Sequence, residues 1–185
     1  MTEDPKRKKP QIPIRKNEVI EELKLCDPLD KIILLSIGPK ETSHLGVQKR
    51  ALLISRILAV DSEAEPYKYG LYSETITEKL QNGRNEFFIN RRNNKYLLTP
   101  EGLYAYQVLL ERLKARDKKD IASFIETLHQ IDEMDLLALA YHLFPESFKE
   151  SEIKEIALRT IKRHKKKEFV RAKKEGEKII IKVMA

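Results

Sequence analysis

Three groups of Lys and Arg residues have the side-chain chemistry best suited to binding a ligand, because guanidinium and ammonium groups pair with phosphate oxygens. The first group lies at the start of the chain, the second around the stretch FINRRNNKY, and the third in the last part of the sequence. Their chemistry predicts contact with a polyanion, either DNA or RNA. The candidate residues are Lys6, Arg7, Lys8, Lys9, Arg15, Lys16, then Arg84, Arg91, Arg92, Lys95, then Lys162, Arg163, Lys165, Lys166, Lys167, Arg171, Lys173 and Lys174.

The charge of the chain is unevenly distributed. The total is +7, of which residues 1–16 carry +4 and residues 159–185 carry +8, so that residues 17–158 carry −5. A chain with basic ends and an acidic middle is expected to meet a polyanion mainly through its ends.

The histidines do not form a recognisable catalytic or metal site. His44, His129, His142 and His164 lie in separate segments without the spacing of metal ligands. His142 follows a run of apolar residues, which predicts a buried or nearly buried side chain. We therefore expect no metal-binding histidines.

The lone cysteine and the acidic cluster also have structural explanations. Cys26 stands at a helix start, where a lowered thiol pKa would make it reactive, but a structural cysteine is the simpler interpretation. Asp132, Glu133 and Asp135 form one contiguous run, which is typical of helix capping and lacks convergent ligands for a cation. The sequence predicts no catalytic residue, no metal and no cofactor, and hence a protein that is not an enzyme.

The elements before the second basic group are predicted to be helical. Residues 1–16 contain three prolines and are expected to form a basic arm that is extended or disordered when free. Asn17 is expected to cap a helix through about Lys24, and Asp27 to cap a second that stops at Gly38. A third helix, about 44–59, directs one apolar face to the core and leaves its basic residues elsewhere. The core residues are Val47, Ala51, Ile54 and Leu58, and the basic residues are Lys49, Arg50 and Arg56.

The second basic group is predicted to lie on a wing, a β-hairpin that follows a short helix. Ser73 caps that helix, strands follow near 86–89 and 95–98, and Thr99 with Pro100 opens the next helix, which runs to about 116. The polar tip could bind phosphate or enter a minor groove, although an Asn-rich tip is also typical of a plain hairpin turn. Three tyrosines in YKYGLYS are expected to pack a loop between helices rather than to stack on bases.

The short helix before the wing is poorly suited to reading bases. Its outer face is expected to show Glu74, Thr75, Glu78 and Gln81, and carboxylates there would repel the phosphates on both sides of a groove. About 13 residues separate the third helix from Ser73, whereas a helix-turn-helix needs a turn of about 3 to 4. We expect low sequence specificity.

The remaining chain is predicted to be helical and to end in a strand. Helices are expected at about 120–129, within MDLLALAYHLF up to Pro145, and from Ser151 into the run KRHKKK, followed by the strand KIIIKVM. The fold class is therefore α+β and mainly helical, with a winged-helix-like centre at about 28–116 inside a domain of residues 17–163. The basic extensions are residues 1–16 and 164–185.

Four stretches resemble the YwgA-like family, which is related to Panacea antitoxin domains. They are GVQKRALLISRIL, YKYGLYS, YLLTPEG and YHLFPESFKESEI, and they span roughly residues 31–156. Leu71 departs from the family, which usually has Pro there. The resemblance implies a mostly helical domain with a winged-helix-like centre, and it brings no catalytic residue.

Composition limits the class of protein further. One cysteine excludes an internal disulfide, and no apolar run approaches the roughly 18 residues that would cross a bilayer, so we expect a soluble cytoplasmic protein without membrane contact. A charged fraction of 35% favours a thermophilic source. Three hypotheses fit the sequence: a nucleic-acid-associated protein, a protein-interaction module of the antitoxin type, and a ribosome-associated factor that contacts ribosomal RNA. The sequence does not determine the oligomeric state.

Overall fold

The computed structural model describes residues 14–67, 70–82 and 86–145, together with the backbone of 171–175 and 178–182. The described helices are α1 (Lys16–Leu25), α2 (Pro28–Ile37), α3 (His44–Leu58), α4 (Glu74–Gln81), α5 (Pro100–Ala115), α6 (Lys119–Leu128) and α7 (Glu133–Leu143). The strands are β1 (Thr42–Ser43), β2 (Glu65–Tyr67), β3 (Gly70–Tyr72), β4 (Ile89–Arg92), β5 (Lys95–Leu98), β6 (Arg171–Glu175) and β7 (Lys178–Lys182). The fold is α+β and mainly helical, as predicted.

Helix α2 begins and ends where its sequence specifies. The Asp27 side chain accepts a hydrogen bond from the Asp30 backbone N–H, and the Asp30 side chain accepts one from Asp27 N–H, which completes a capping box before Pro28. Gly38 ends the helix with φ 65°, and a Cβ there would lie 2.3 Å from the His129 ring. The loop after α2 therefore requires glycine at this position.

Helix α1 differs from its prediction at the start. Arg15 occupies the N-cap position without a side-chain cap, and the helix begins at Lys16, so Asn17 lies inside its first turn. Val19 and Leu23 are fully buried, one helical turn apart. Burial of this apolar face, rather than a cap, positions α1.

A small antiparallel sheet has the strand order β1-β5-β4. Strands β4 and β5 form the predicted hairpin, but β4 lies three residues later than expected, because residues 86–88 form a turn. Asn93 and Asn94 make its two-residue loop with φ values of 47° and 60°. Asn tolerates this left-handed conformation, which matches the twist of the flanking strands.

Helix α5 packs closely on the hairpin. The Thr99 hydroxyl accepts a hydrogen bond from Gly102 N–H at 2.9 Å and donates one to the Phe87 carbonyl at 2.8 Å, so it caps the helix and ties it to the chain before β4. A Cβ on Gly102 would meet the Phe88 carbonyl oxygen at 2.1 Å. Only glycine permits this approach.

The main core is one cluster of buried side chains to which all seven described helices and the β4–β5 hairpin contribute. Phe124, Ile125 and Leu128 of α6 lie in it, together with Leu136, Leu139 and Leu143 of α7. The prediction for His142 was wrong, because this side chain is exposed on the outer face of α7. Within the described ranges, no helix is long and apolar enough to cross a membrane.

Helix α3 is more deeply buried than its pattern predicts. Lys49 and Arg50, expected away from the core, are only 2% and 7% exposed, whereas Arg56 is exposed. Lys49 Nζ donates to the Leu71 carbonyl at 2.7 Å. This hydrogen bond joins α3 to β3. The buried lysine therefore contributes a polar contact where an apolar residue would otherwise pack.

Two further regions depart from expectation. The YKYGLYS segment, predicted as a loop, contributes to a β2–β3 hairpin in which Glu65 pairs with Tyr72. The terminal strand has its partner within the chain, because β7 pairs antiparallel with β6. Arg171, Lys173 and Lys174 therefore belong to a strand and not to a continuing helix. The predicted helix from Ser151 lies outside the described residues.

Candidate nucleic-acid interface

The tip of the β4–β5 hairpin, residues 90–95, carries the basic residues that the structure best defines, and we call it the wing tip. Arg91, Arg92 and Lys95 are exposed, as are the three asparagines among them. The strands are anchored by buried Ile89, Tyr96 and Leu98, so that the charged tip projects from a packed base. This confirms that Arg91, Arg92 and Lys95 lie on a hairpin.

The two arginines of the wing tip lie on opposite faces of the hairpin. Arg91 is directly opposite Tyr96 and Arg92 is directly opposite Lys95. Directly opposed residues share a face of a sheet and successive residues alternate, so Arg91 lies on the side of the buried Tyr96 ring and Arg92 on the outer side. The sequence groups these arginines together, but the structure separates them.

The outer face of the wing tip brings two cations close together. Arg92 and Lys95 oppose each other across the strands, an arrangement that like-charge repulsion disfavours. Lys95 Nζ forms an ion pair with Glu41 at 2.9 Å, and this hydrogen bond raises the pKa of Lys95. For Arg92, no ion pair forms with any residue of the described ranges. An anion at this face would relieve the repulsion.

Behind the inner face lies a hydrogen-bonded cluster. His44 Nδ1 is 3.2 Å from the Tyr96 hydroxyl, and its Nε2 is 3.2 Å from Thr77 Oγ1. Thr77 Oγ1 also accepts from Gln48 at 3.0 Å and lies 2.7 Å from the Tyr72 hydroxyl. Burial, reinforced by the charge of Arg91, lowers the pKa of His44. The cluster joins α3, α4 and the β4–β5 hairpin, and the lowered pKa favours the neutral form of His44.

Helix α4 presents the acidic face that the sequence predicts. Glu74, Glu78 and Gln81 are exposed and Thr75 is half-buried. The single lysine of the helix, Lys79, is turned away toward α2, where its Nζ lies 2.5 Å from Asp27 and 2.9 Å from Asp30. No cation of α4 is therefore available to a phosphate on its outer face.

Arg15 and Lys16, predicted as the end of a basic arm, contact the folded body. Arg15 pairs with Glu18 at 2.8 Å and lies 3.6 Å from Glu101, with its guanidinium 5.0 Å from the centre of the Phe87 ring. Lys16 Nζ lies 5.5 Å from the centre of the Tyr104 ring. These contacts give both side chains a role in packing α1.

Several other candidates lie outside the described residues. They are Lys6, Arg7, Lys8, Lys9, Arg84, Lys162, Arg163, Lys165, Lys166 and Lys167. Arg171, Lys173 and Lys174 are placed only by the backbone of β6.

A cleft that no sequence pattern indicates lies between α3, the β2–β3 hairpin and the start of α4. It has a volume of about 860 Å³. We call it the acidic cleft, because its lining includes three exposed carboxylates, those of Glu63, Glu65 and Glu74. Its residues come from three separate segments, so no local pattern in the sequence could have indicated it.

Three groups of side chains that could carry site chemistry can be placed in the described ranges. Within those ranges, no group of three or more His, Cys, Asp or Glu side chains could hold a metal. Burial, followed by the charge of Asp30, raises the pKa of the Cys26 thiol, which contradicts a reactive thiolate. Asp132 caps α7 by accepting from Asp135 N–H at 2.9 Å, as expected for a capping residue.

Comparison of the chain with protein-family models, with curated proteins and with solved structures finds no match. The resemblance to the YwgA-like family stays a prediction.

Proposed function

We propose that the protein binds nucleic acid without catalysis, by contacting the phosphate backbone with the wing tip and with its basic terminal segments. The observation that carries this proposal is the placement of cations on both faces of one hairpin, Arg91 on the inner face and Arg92 with Lys95 on the outer face. Such a tip contacts phosphates on either side when it lies in a groove.

The order of the elements supports the proposal. Helix α2, strand β1, helices α3 and α4, and then the β4–β5 hairpin follow one another, with β5 between β1 and β4 in the sheet. This is the arrangement expected of a winged-helix core, in which the hairpin is the wing. The inserted β2–β3 hairpin separates α3 from α4 and is a departure from a tight helix-turn-helix.

The acidic face of α4 indicates how the nucleic acid is recognised. Glu74 and Glu78 are exposed on the helix that would otherwise read bases in the major groove. Their charges oppose close approach of the phosphates that line the groove. Binding is therefore expected to depend on the backbone and to show low sequence specificity.

The test is the salt dependence of binding to a labelled mixed-sequence duplex, measured by fluorescence anisotropy. For duplex DNA the slope of log affinity against log salt is about −0.9 per phosphate contact. The double variant Arg91→Ala/Arg92→Ala should bind more weakly and lose roughly one to two contacts from the slope. Replacing Lys6, Arg7, Lys8 and Lys9 by Gln in the full chain should cause a larger loss.

A matched control is the double variant Arg112→Ala/Arg116→Ala, which removes two exposed arginines from the C-terminal end of α5. It lowers the net charge equally but leaves the wing tip intact, so its slope should stay close to that of the original protein. If the wing variant keeps both affinity and slope, the hairpin takes no part in binding.

Two other functions give different results when the protein is purified from its own cells with and without nuclease. A stoichiometric protein partner that resists nuclease would favour an interaction module of the antitoxin type. Co-purification with ribosomes would favour a ribosome-associated factor that contacts ribosomal RNA. Nuclease-sensitive association without ribosomes supports the function proposed here.

A further inference from the structure

The acidic cleft has a charge opposite to that of the wing tip. Glu63, Glu65 and Glu74 are exposed along its lining, and among the described residues its basic side chains are those of His44 and Lys49. The Lys49 amine is buried and donates to the Leu71 carbonyl at 2.7 Å, so it is not exposed at the rim beside the carboxylates. The rim is therefore complementary to a cation.

One wall of the acidic cleft is aromatic. Tyr67 is 56% exposed, and the centre of its ring lies 5.2 Å from that of Tyr72. The Tyr72 hydroxyl lies 2.7 Å from Thr77 Oγ1, which fixes this ring in the hydrogen-bonded cluster behind the wing. Aromatic faces attract cations, and a planar guanidinium can stack on them.

The size of the cleft indicates how large a ligand it can hold. Its volume of about 860 Å³ lies near the upper end of the range of about 300–1,000 Å³ for ligand pockets. Leu45, Pro66 and Leu71 supply apolar surface beside the carboxylates, where the aliphatic stem of a long basic side chain can pack. This is room for more than one side chain.

We propose that the acidic cleft binds an arginine-bearing peptide segment of a partner protein, with a guanidinium stacked on Tyr67 and paired with the carboxylates of Glu65 and Glu74. Arginine suits the site better than lysine, because its flat guanidinium combines stacking with two parallel hydrogen bonds to a carboxylate. This binding is independent of the nucleic-acid contact at the wing tip, whose arginines do not line the cleft.

The experiment measures binding of a fluorescently labelled oligoarginine peptide to the full chain, with oligolysine and spermidine as competitors. The double variant Glu65→Gln/Glu74→Gln should weaken oligoarginine binding by about tenfold, since it removes both carboxylates that pair with the guanidinium. The control variant Glu22→Gln/Glu111→Gln changes the net charge equally at exposed positions of α1 and α5, and should change binding less than twofold.

A second pair of variants tests the aromatic wall. Tyr67→Leu should weaken oligoarginine binding by about fivefold, whereas Tyr67→Phe keeps the ring and should bind like the original protein. Tyr67 is largely exposed, so neither change should unfold the protein. Equal losses in both variants would exclude a cation stacked on this ring.

The competitors decide the source of the cation. Displacement of the labelled peptide by unlabelled oligoarginine at lower concentration than by oligolysine or spermidine supports the proposal. Equal or better displacement by spermidine would assign the cleft to small amines and overturn it. Equal weakening in the cleft and control carboxylate variants would also overturn it, because the peptide would then be attracted by the net charge of the protein and not by the cleft. The variant Arg92→Ala should leave peptide binding unchanged, which separates this result from the test of nucleic-acid binding.

Discussion

Two pairs of adjacent basic residues look alike in the sequence and differ completely in the structure. Lys49 and Arg50 of α3 are 2% and 7% exposed, whereas Arg91 and Arg92 of β4 are exposed at the wing tip. The side chains of the first pair donate hydrogen bonds to carbonyl and hydroxyl oxygens of the protein instead of to water, whereas those of the second pair are exposed to solvent. The same residue types therefore stabilise the fold in one place and are available to a ligand in the other.

The buried pair acts by joining elements that are distant in the sequence. Arg50 Nε donates to the Leu128 carbonyl at 3.1 Å, and its Nη1 donates to Thr42 Oγ1 at 2.8 Å and to the Ser36 carbonyl at 3.3 Å. One side chain thus connects α3 to α2, β1 and the end of α6. Burial lowers the pKa of Lys49 to about 8, because the charged ammonium is less stable away from water.

The variant Arg50→Ala should give the largest effect. It leaves three acceptors without their donor and opens a cavity between α2, α3 and α6, so the free energy of unfolding should fall by about 3–5 kcal/mol. Urea denaturation followed by circular dichroism measures the loss. Arg56→Ala, on the exposed side of the same helix, is the control and should cost less than about 1 kcal/mol. Similar losses of unfolding free energy in the two variants would show that burial does not make Arg50 more important for stability than Arg56.

The next effect is a loss of stability in acid that originates at His129. Its Nε2–H donates to the Leu35 carbonyl at 2.8 Å, and burial, with a further contribution from the Arg50 charge, lowers the pKa of His129 from 6.5 to about 4. Between these values the unfolded chain binds a proton that the folded protein does not. The stabilisation is therefore complete above about pH 6.5 and is lost as the pH falls toward 4.

At about pH 5 this difference corresponds to roughly 2 kcal/mol. His129→Gln cannot take up the proton, so its free energy of unfolding should change less than that of the original protein when urea denaturation at about pH 7 and pH 5 is compared. Arg91→Ala/Arg92→Ala serves as the control, since the wing tip is exposed and should leave this pH dependence intact. An identical decrease in the Gln variant would place the acid sensitivity elsewhere.

The helix starts could be predicted because they depend on local chemistry. Asp27, Ser73 and Thr99 each accept a hydrogen bond from a backbone N–H three residues later, as their types and positions indicate. The burial of Lys49 and Arg50 could not be predicted, because the acceptors come from other segments. The position of β4 was also wrong by three residues, since Phe87 and Phe88 fit a strand pattern but lie in a turn.

The candidate site likewise has some features that local sequence signals predict and others that depend on tertiary structure. The sequence indicates a hairpin with Arg91, Arg92 and Lys95 near its tip, because turn residues and alternating strands are local signals. It does not indicate which arginine shares a face with Tyr96, since that depends on the exact register. The acidic cleft depends on the β2–β3 hairpin packing near α3 and α4, a tertiary arrangement that composition does not encode.

The smallest effect on stability is expected at the acidic face of α4, next to the wing tip. Glu78 is exposed, so Glu78→Lys should change the free energy of unfolding by no more than about 0.5 kcal/mol. If this face stays outside the groove, duplex binding measured by anisotropy should remain equal or become stronger, because a carboxylate near the phosphates is replaced by a cation. Glu111→Lys on α5 makes the same charge change at another exposed position and shows how much of any gain comes from net charge alone. A footprint on a defined DNA sequence that disappears in the Glu78 variant would mean that α4 reads bases, and that the division between a binding wing and a non-binding helix is wrong.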